Sequence, residues 1–425
     1  MFLALVIFAL ALALVMFRPK PFNEATAAAL GAALMLATNV ISPVQALQVL
    51  QANANVLLFF LGLMLVSAVS DRAGVFEWTA AGAVKLARGS GPALLLIVFA
   101  LGAVITAFFS NDATALVLTP IVYMLVTRFK LNPLPFVFAC AFIANTASVL
   151  LPVSNPVNLL PVDRFGISLG EYLRFLLLPS VLVIALNIGL FAFIFRKQLS
   201  TSFHNVESSN FSIKVDSFFV FVCCGLALTA AGYVVTSVYR LPLSIPALAG
   251  AVILVSGSIG FGRFSLAQMT RGISWSIFLF IFSLALLVQG VENVGLTDAF
   301  GRALADLPSR VGALGAIVST AFLTAFGSNL INNWSMMMVS VSSLGASNGA
   351  PPADHSLVYA SILGADLGPN IAIVGSLSSM LWLMLLRRRG LDIHPLQYLK
   401  LGLIVTPPLL FVGALGLYVS SLIWG

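Results

Sequence analysis

The sequence predicts an all-α polytopic membrane protein made of two inverted repeats. Each repeat has five transmembrane helices plus one re-entrant hairpin, with broken helices meeting near the midplane. Three observations lead there. The 425 residues are 60% hydrophobic and only 8% charged, with mean hydropathy +1.07, whereas a soluble domain carries roughly 25% charged residues. Apolar runs recur at lengths that cross roughly 30 Å of hydrocarbon. The order of runs and polar breaks in the first half returns in the second. This composition excludes a soluble enzyme, a nucleic-acid-binding module and a secreted disulfide scaffold, because the longest polar run is Arg196 to Asp216 and there are three cysteines.

The run Met1 to Phe17 lacks the positive leader of a signal peptide, since Arg18 and Lys20 follow it, and it reads as a retained span. Spans follow near 23–40 and 54–70, then a region at 91–127 interrupted by Ser110-Asn111-Asp112, then spans near 134–160 and 172–195. After the cytoplasmic linker 196–216 the pattern restarts, with spans near 217–237, 243–260 and 274–290. A region at 311–346, interrupted at Ser328-Asn329-Leu330-Ile331-Asn332-Asn333, precedes spans near 356–386 and 400–423. That makes ten crossings, divided as repeats 1–195 and 217–425. The arms of both interrupted regions are about 15 to 19 residues, near or below the roughly 17 to 25 a spanning helix needs. They are therefore read as hairpins returning to the side they entered, which membranes tolerate around a protein-lined or wet cavity.

Cytoplasmic loops collect Lys and Arg. With both termini outside the inner membrane, 16 of the 21 Lys and Arg residues lie on the cytoplasmic side, and only Arg164, Arg174, Arg240, Arg302 and Arg310 lie opposite. The net charge of +7 follows from this bias and calls for no nucleic-acid partner. An odd number of crossings per half inverts the second half relative to the first, an arrangement typical of secondary transporters with discontinuous helices.

Polar residues gather at the breaks. The first half offers Ser110, Asn111 and Asp112, then Asn145, Thr146 and Ser148, then Ser154 and Asn155. The second offers Asn329, Asn332 and Asn333, then Asp366 and Asn370, then Ser376. Ser110 to Ser154 and Asn332 to Ser376 both span 44 positions. Gly and Pro in these runs free backbone groups that need partners in hydrocarbon. Of fourteen acidic residues only Asp112 and Asp366 lie deep in apolar sequence, without a Lys or Arg, and an intramembrane carboxylate marks a functional candidate. Both are candidates for proton coupling, and Asp112 is also placed to cap the returning helix 113–127. The histidines His204, His355 and His394 fall in loops.

The stretches Asp71-Arg72-Ala73-Gly74-Val75-Phe76-Glu77-Trp78, Ser110-Asn111-Asp112 with Leu118-Thr119-Pro120-Ile121, and Asn145-Thr146-Ala147-Ser148 with Val153-Ser154-Asn155-Pro156-Val157-Asn158 resemble the bacterial arsenite efflux permeases, the ArsB family. So does Gly364-Ala365-Asp366-Leu367-Gly368-Pro369-Asn370 with Gly375-Ser376-Leu377. The resemblance runs from about residue 20 to the C-terminus. It implies a fold of two inverted repeats with two hairpins, and expulsion of arsenite and antimonite driven by protons or with a cytosolic arsenite-stimulated ATPase. Where the family pattern has an acidic residue before Thr146-Ala147-Ser148, this chain has Asn145, which bears on the number of protons coupled.

Arsenite at neutral pH is an uncharged trihydroxide, and Asn amides and Ser or Thr hydroxyls both donate and accept. No cofactor or metal is called for. Cys223 and Cys224 are adjacent and point to different helix faces, with Cys140 on another span, so a thiol trap is a poor site. The alternative is a sodium/proton antiporter, or another cation or carboxylate carrier of the same superfamily. A bare cation would need oxygens such as those of Asp112 and Asp366, and a dicarboxylate would call for an intramembrane Arg or Lys.

Overall fold

The computed structural model describes residues 2–17, 22–200, 215–239, 241–263, 275–295, 306–346 and 355–425, together with 273, 302 and 304. Arg18, Lys20, His204, Lys214, Arg240, Arg271 and most of the linker lie outside the described residues. Among the described residues there are helices and no strand. Seven of these helical stretches are long and apolar enough to cross a membrane: Pro43–Arg72, Gly91–Phe108, Leu169–Ile194, Ser217–Thr236, Trp275–Glu292, Ser309–Ile331 and Pro395–Trp424. Large apolar side chains such as Leu10, Phe326 and Leu422 stand exposed along the helices, as a lipid-facing surface requires and a water-facing one avoids.

The first half begins with α1 (Phe2–Phe17), α2 (Glu24–Ala37), α3 (Pro43–Ala52), α4 (Ala54–Arg72), α5 (Val75–Ala87) and α6 (Gly91–Phe108). It continues with α7 (Thr119–Arg128), α8 (Leu134–Thr146), α9 (Leu159–Phe165), α10 (Leu169–Ile194) and the short α11 (Arg196–Leu199). The second half contains α12 (Ser217–Val238), α13 (Ser244–Gly260), α14 (Trp275–Glu292), α15 (Leu307–Ile331), α16 (Asn333–Ala346), α17 (Ser356–Leu367), α18 (Leu377–Arg388) and α19 (Pro395–Trp424). The sequence reading omitted α3 and α5. Local chemistry accounts for both: Ser42 caps α3 in a capping box with Gln45 and Pro43 opens it, while Gly74 turns the chain into α5 at φ 78°.

Packing follows one scheme in both halves. Helix α1 lies along α2 and α12 along α13, α4 packs on α13 and α2 on α14, and α10 packs against α19. Glycine allows close approaches between elements. A Cβ at Gly62 would sit 2.6 Å from the Ala247 carbonyl carbon, and one at Gly368 would sit 2.7 Å from Ala325 Cα. Small residues at helix crossings are how apolar helices gain close contact in lipid. At one end of the bundle Arg72 Nε donates to Arg263 O at 3.2 Å. At the other end Asn55 Nδ2 donates to Asp163 at 2.8 Å and Asn293 Nδ2 to Val40 O at 2.9 Å. Burial pushes the Asp163 carboxyl above its ordinary pKa, against the opposing effect of that Asn55 bond.

The first arms of the interrupted regions are 18 residues in α6 and, beyond the non-helical Gly312 that kinks α15, residues 313–331, near the lower limit of a spanning helix. One expectation needs correction: Asp112 does not cap the returning helix of the first hairpin. Ser110 does, its Oγ accepting from Ala113 N at 3.2 Å, because the chain leaves helical geometry at Ser110 and Asp112 already lies in the first turn. A π-helical turn, Thr114–Leu118, then leads into α7.

Candidate functional site

The two broken spans are the same local structure written twice. Helix α8 ends at Thr146 and is followed by a 3-10 turn at Ala147–Val149, extended Leu151 (φ −133°, ψ 150°), a second turn at Pro152–Ser154 and extended Asn155 (φ −144°, ψ 122°). Helix α17 ends at Leu367 and is followed by a turn at Gly368–Asn370, extended Ala372 (φ −134°, ψ 142°), a turn at Ile373–Gly375 and extended Ser376 (φ −143°, ψ 156°). Every feature of the second stands 221 positions after its counterpart. Pro152, Pro156 and Pro369 lack the N–H that would continue a helix, which fixes where the breaks fall. The hairpin turns match as well, since each uses a non-glycine residue at positive φ, Ser110 at 150° and Asn332 at 70°. Such backbone costs on the order of 1–3 kcal/mol and collects at functional sites.

Between the breaks, residues more than 200 positions apart form two buried clusters. In one, Asn155 Nδ2 donates to Asp366 Oδ1 at 2.6 Å and Asn158 Nδ2 to Asp366 Oδ2 at 2.9 Å. Tyr172, the fourth residue of α10, closes it by accepting from Asn158 at 3.4 Å and donating to Val149 O at 3.0 Å. In the other, Asn145 Nδ2 donates to Asn370 Oδ1 and Ser379 Oγ, both at 3.1 Å, while Ser376 and Ser378 donate to Asn145 Oδ1 at 3.4 and 3.3 Å. Tyr398, the fourth residue of α19, faces Ser379 at 3.3 Å and donates to Pro369 O at 3.1 Å. Asn370 and Asn187 both donate to Thr146 Oγ1. The offset of 221 relates the clusters atom group for atom group: Asn145 to Asp366, Asn155 to Ser376, and Asn158 to Ser379.

The remaining candidates from the sequence are distributed around this centre. Ser148 donates to Asn145 O at 2.6 Å. Asn329 staples the second break to α15, its amide donating to Ala325 O and Gly368 O at 2.8 Å while its oxygen accepts from Ala372 N at 2.9 Å. Asn332 reaches Val374 O and Ser154 reaches Ala107 O, each at 3.4 Å. Asn111 accepts from the neighbouring Asp112 N at 2.9 Å, and Asn333 Oδ1 is buried with no hydrogen-bond partner among the described residues. The hydrogen bonds therefore join Asn145 with Ser376, and they tie neither Asn111 nor Asn333 to the central network. Sequence reasoning noted Asn158 and Ser378 at the breaks without placing them in the site, and missed Ser379, Asn187, Tyr172 and Tyr398. Aligning the halves at 221 would have singled out Asn158 and Ser379 as partners of Asp366 and Asn145, whereas the tyrosines carry no local signal.

Two cavities lie away from this centre, and no residue of the two clusters lines them. One of about 660 Å³ holds Ser110 and the half-buried Asp112 at the first hairpin and extends to Asp71 and Arg389. The other, of about 520 Å³, lies at the opposite end against α16 and is lined by Asp163, Arg164 and Glu292. Among the described residues no cluster of His, Cys, Asp or Glu is arranged to hold a metal.

A multi-pass helical protein whose discontinuous helices meet in a buried polar network, with cavities at both ends, is a membrane transporter. The fold matches that of the YdaH transporter of Alcanivorax borkumensis, described as having an unusual topology, with a TM-score of 0.63 over 100% of this chain and 98% of that one. At 18% identity this is a likeness of fold alone. The family model for the arsenical pump membrane protein, ArsB, matches residues 3–421. The arsenical pump membrane protein of Escherichia coli K12 is 34% identical over 97% of both chains, and that of Yersinia enterocolitica 33% over the same shares. A putative arsenical pump membrane protein of Bacillus subtilis is 24% identical over 92% of this chain and 93% of its own length. The chain belongs to the arsenical pump membrane protein family.

Proposed function

We propose that the protein exports arsenite and antimonite, as neutral trihydroxides, from the cytoplasm in exchange for protons. The observation that carries this reading is the pair of matched clusters, one built on the ionisable Asp366 and one on the uncharged Asn145 with Ser376, Ser378 and Ser379. The neutral cluster and its hydroxyls offer donors and acceptors to a trihydroxide. Asp366 supplies the coupling. Ionised, its carboxylate accepts from Asn155 and Asn158, which bind it to the first broken span; protonated, one oxygen becomes a donor and a weaker acceptor, so one of the two amide bonds weakens. A proton thus changes the tie between the two spans. The site set for substrate comprises Ser110, Asn111, Asn145, Thr146, Ser148, Ser154, Asn155, Asn329, Asn332, Asn333, Asn370 and Ser376, with Asp112 and Asp366 for protons.

In this reading residues 1–195 and 217–425 are inverted repeats, the matched breaks and matched helix pairings being what supports it. The membrane is the bacterial inner membrane and both termini lie outside, so that Asp112 faces a cytoplasmic cavity. The meeting of Arg72 with Arg263 at one end of the bundle, and of Asn55 with Asp163 at the other, agrees with the Lys and Arg distribution. The test is uptake into proteoliposomes, without any ATPase subunit, of arsenite or sodium under a fixed pH gradient. Arsenite should move, and sodium should neither compete nor be required. Sodium movement without arsenite movement would replace this reading with a cation antiporter.

A further inference from the structure

Helix α16, the returning arm of the second hairpin, carries four buried polar atoms with no hydrogen-bond partner among the described residues: Asn333 Oδ1, Ser335 Oγ, Ser340 Oγ and Ser343 Oγ. Their residues are at most 2% exposed. Elsewhere Thr320 and Thr406 are likewise unpartnered, one on each of two long helices, but most buried helical hydroxyls are bonded. Ser70, Ser180, Thr229, Ser258, Ser328 and Ser361 each donate to the carbonyl four residues earlier, at 2.6–2.9 Å, the usual refuge of a helical hydroxyl. A buried polar group left unpaired costs about 1–3 kcal/mol, so four on one helix imply a partner that the described residues do not supply. At 3.6 residues per turn the four fall within an arc of about 160°. Met338 and Val341 lie outside that arc and Ser342 borders it beside Ser335, all three lining the cavity of about 520 Å³. The row begins beside the turn at Asn332 and ends near Gly345, where a Cβ would stand 3.5 Å from the Arg164 guanidinium.

We propose that this face of α16 is a transfer track for a small neutral polyhydroxylated solute, moving between the broken spans and the end of the protein that bears Arg164. The identity of the solute as arsenite rests on the function proposed above. Each serine both donates and accepts, the one cation named beside the row, Arg164, stands at its end, and contacts with single hydroxyls let the solute go.

Trivalent arsenic provides the probe, because it condenses with two neighbouring thiols: two As–S bonds replace two As–OH bonds and two waters leave. Ser340→Cys with Ser343→Cys, one helical turn apart, is made in protein whose Cys140, Cys223 and Cys224 are replaced by alanine. In proteoliposomes arsenite should block its own transport by this pair more than tenfold, with the two thiols lost to titration and recovered with dithiothreitol. Each single variant, with one thiol, should lack this arsenite-dependent block. Leu323→Cys with Phe326→Cys, at the same spacing on the exposed surface of α15, should be unaffected. Wild-type turnover with thiols that stay titratable overturns the track. Ser340→Ala with Ser343→Ala gives a second reading that removes unpaired groups: transport should fall about tenfold, and unchanged transport also overturns the track. If the cysteine-free protein moves no arsenite, the proposed function fails, and the thiol titration still reads whether the trihydroxide reaches this row.

Discussion

Around Asp366 two amides, from Asn155 and Asn158, point at a carboxylate, whereas 221 positions earlier two hydroxyls, from Ser376 and Ser378, point at the amide oxygen of Asn145. The backbone is the same at both breaks, the flanking tyrosines hold matching stations, and only the central side chain differs in charge. A carboxylate so far from water is expensive and marks a functional candidate, while a neutral network of amides and hydroxyls can be satisfied without a charge. The comparison therefore teaches that duplicated geometry permits a division of labour: one break can titrate while its twin stays neutral toward an uncharged solute.

The largest effect is expected from erasing the difference. Asp366→Asn should make both breaks neutral and lower proton-driven arsenite efflux by more than about a hundredfold, measured in everted vesicles under an imposed pH gradient, with insertion unchanged. Proton-driven transport at the wild-type rate would break the assignment of Asp366. Making the difference vanish in the opposite sense should do less. Asn145→Asp keeps acceptors for Ser376 and Ser378 but loses the bonds to Asn370 and Ser379, so the rate should fall by about tenfold, consistent with about 1–3 kcal/mol for groups left unpaired. An additional proton should then move per arsenite, read from the pH gradient that nulls net flux; an unchanged null gradient would show that position in the repeat does not determine which side chain couples. The smallest effect belongs to Ser378→Ala. Asn145 Oδ1 keeps its bond from Ser376, so the cost should stay near 0.5–1.5 kcal/mol, a twofold to tenfold rise in half-saturation for arsenite.

The spans centred on α4, α10, α12, α14 and α19 were legible because hydropathy over about twenty residues reports burial in lipid directly. The breaks were legible for a similar reason, since proline and glycine act on their own backbone. Helices α3 and α5 were not, because short helices outside the long apolar runs are set by caps and by Gly74 rather than by hydropathy. The cap of the first returning helix went to Ser110 instead of Asp112, a shift of two residues that only backbone geometry decides.

Composition and the placement of Lys, Arg, Pro and Gly by themselves determined that this chain is a multi-pass membrane protein with two polar, interrupted regions per half and two carboxylates deep in apolar sequence. Tertiary structure decided which polar groups meet: that Asn158 serves Asp366, that Ser379 serves Asn145, that Asn329 is occupied holding a break in place, and that α16 keeps four polar atoms unpaired. The physical reason is range. Hydropathy and chain breaking sum over neighbours in sequence, whereas hydrogen bonds act over about 3 Å between groups here separated by more than 200 residues, and only the packed fold brings those groups within reach.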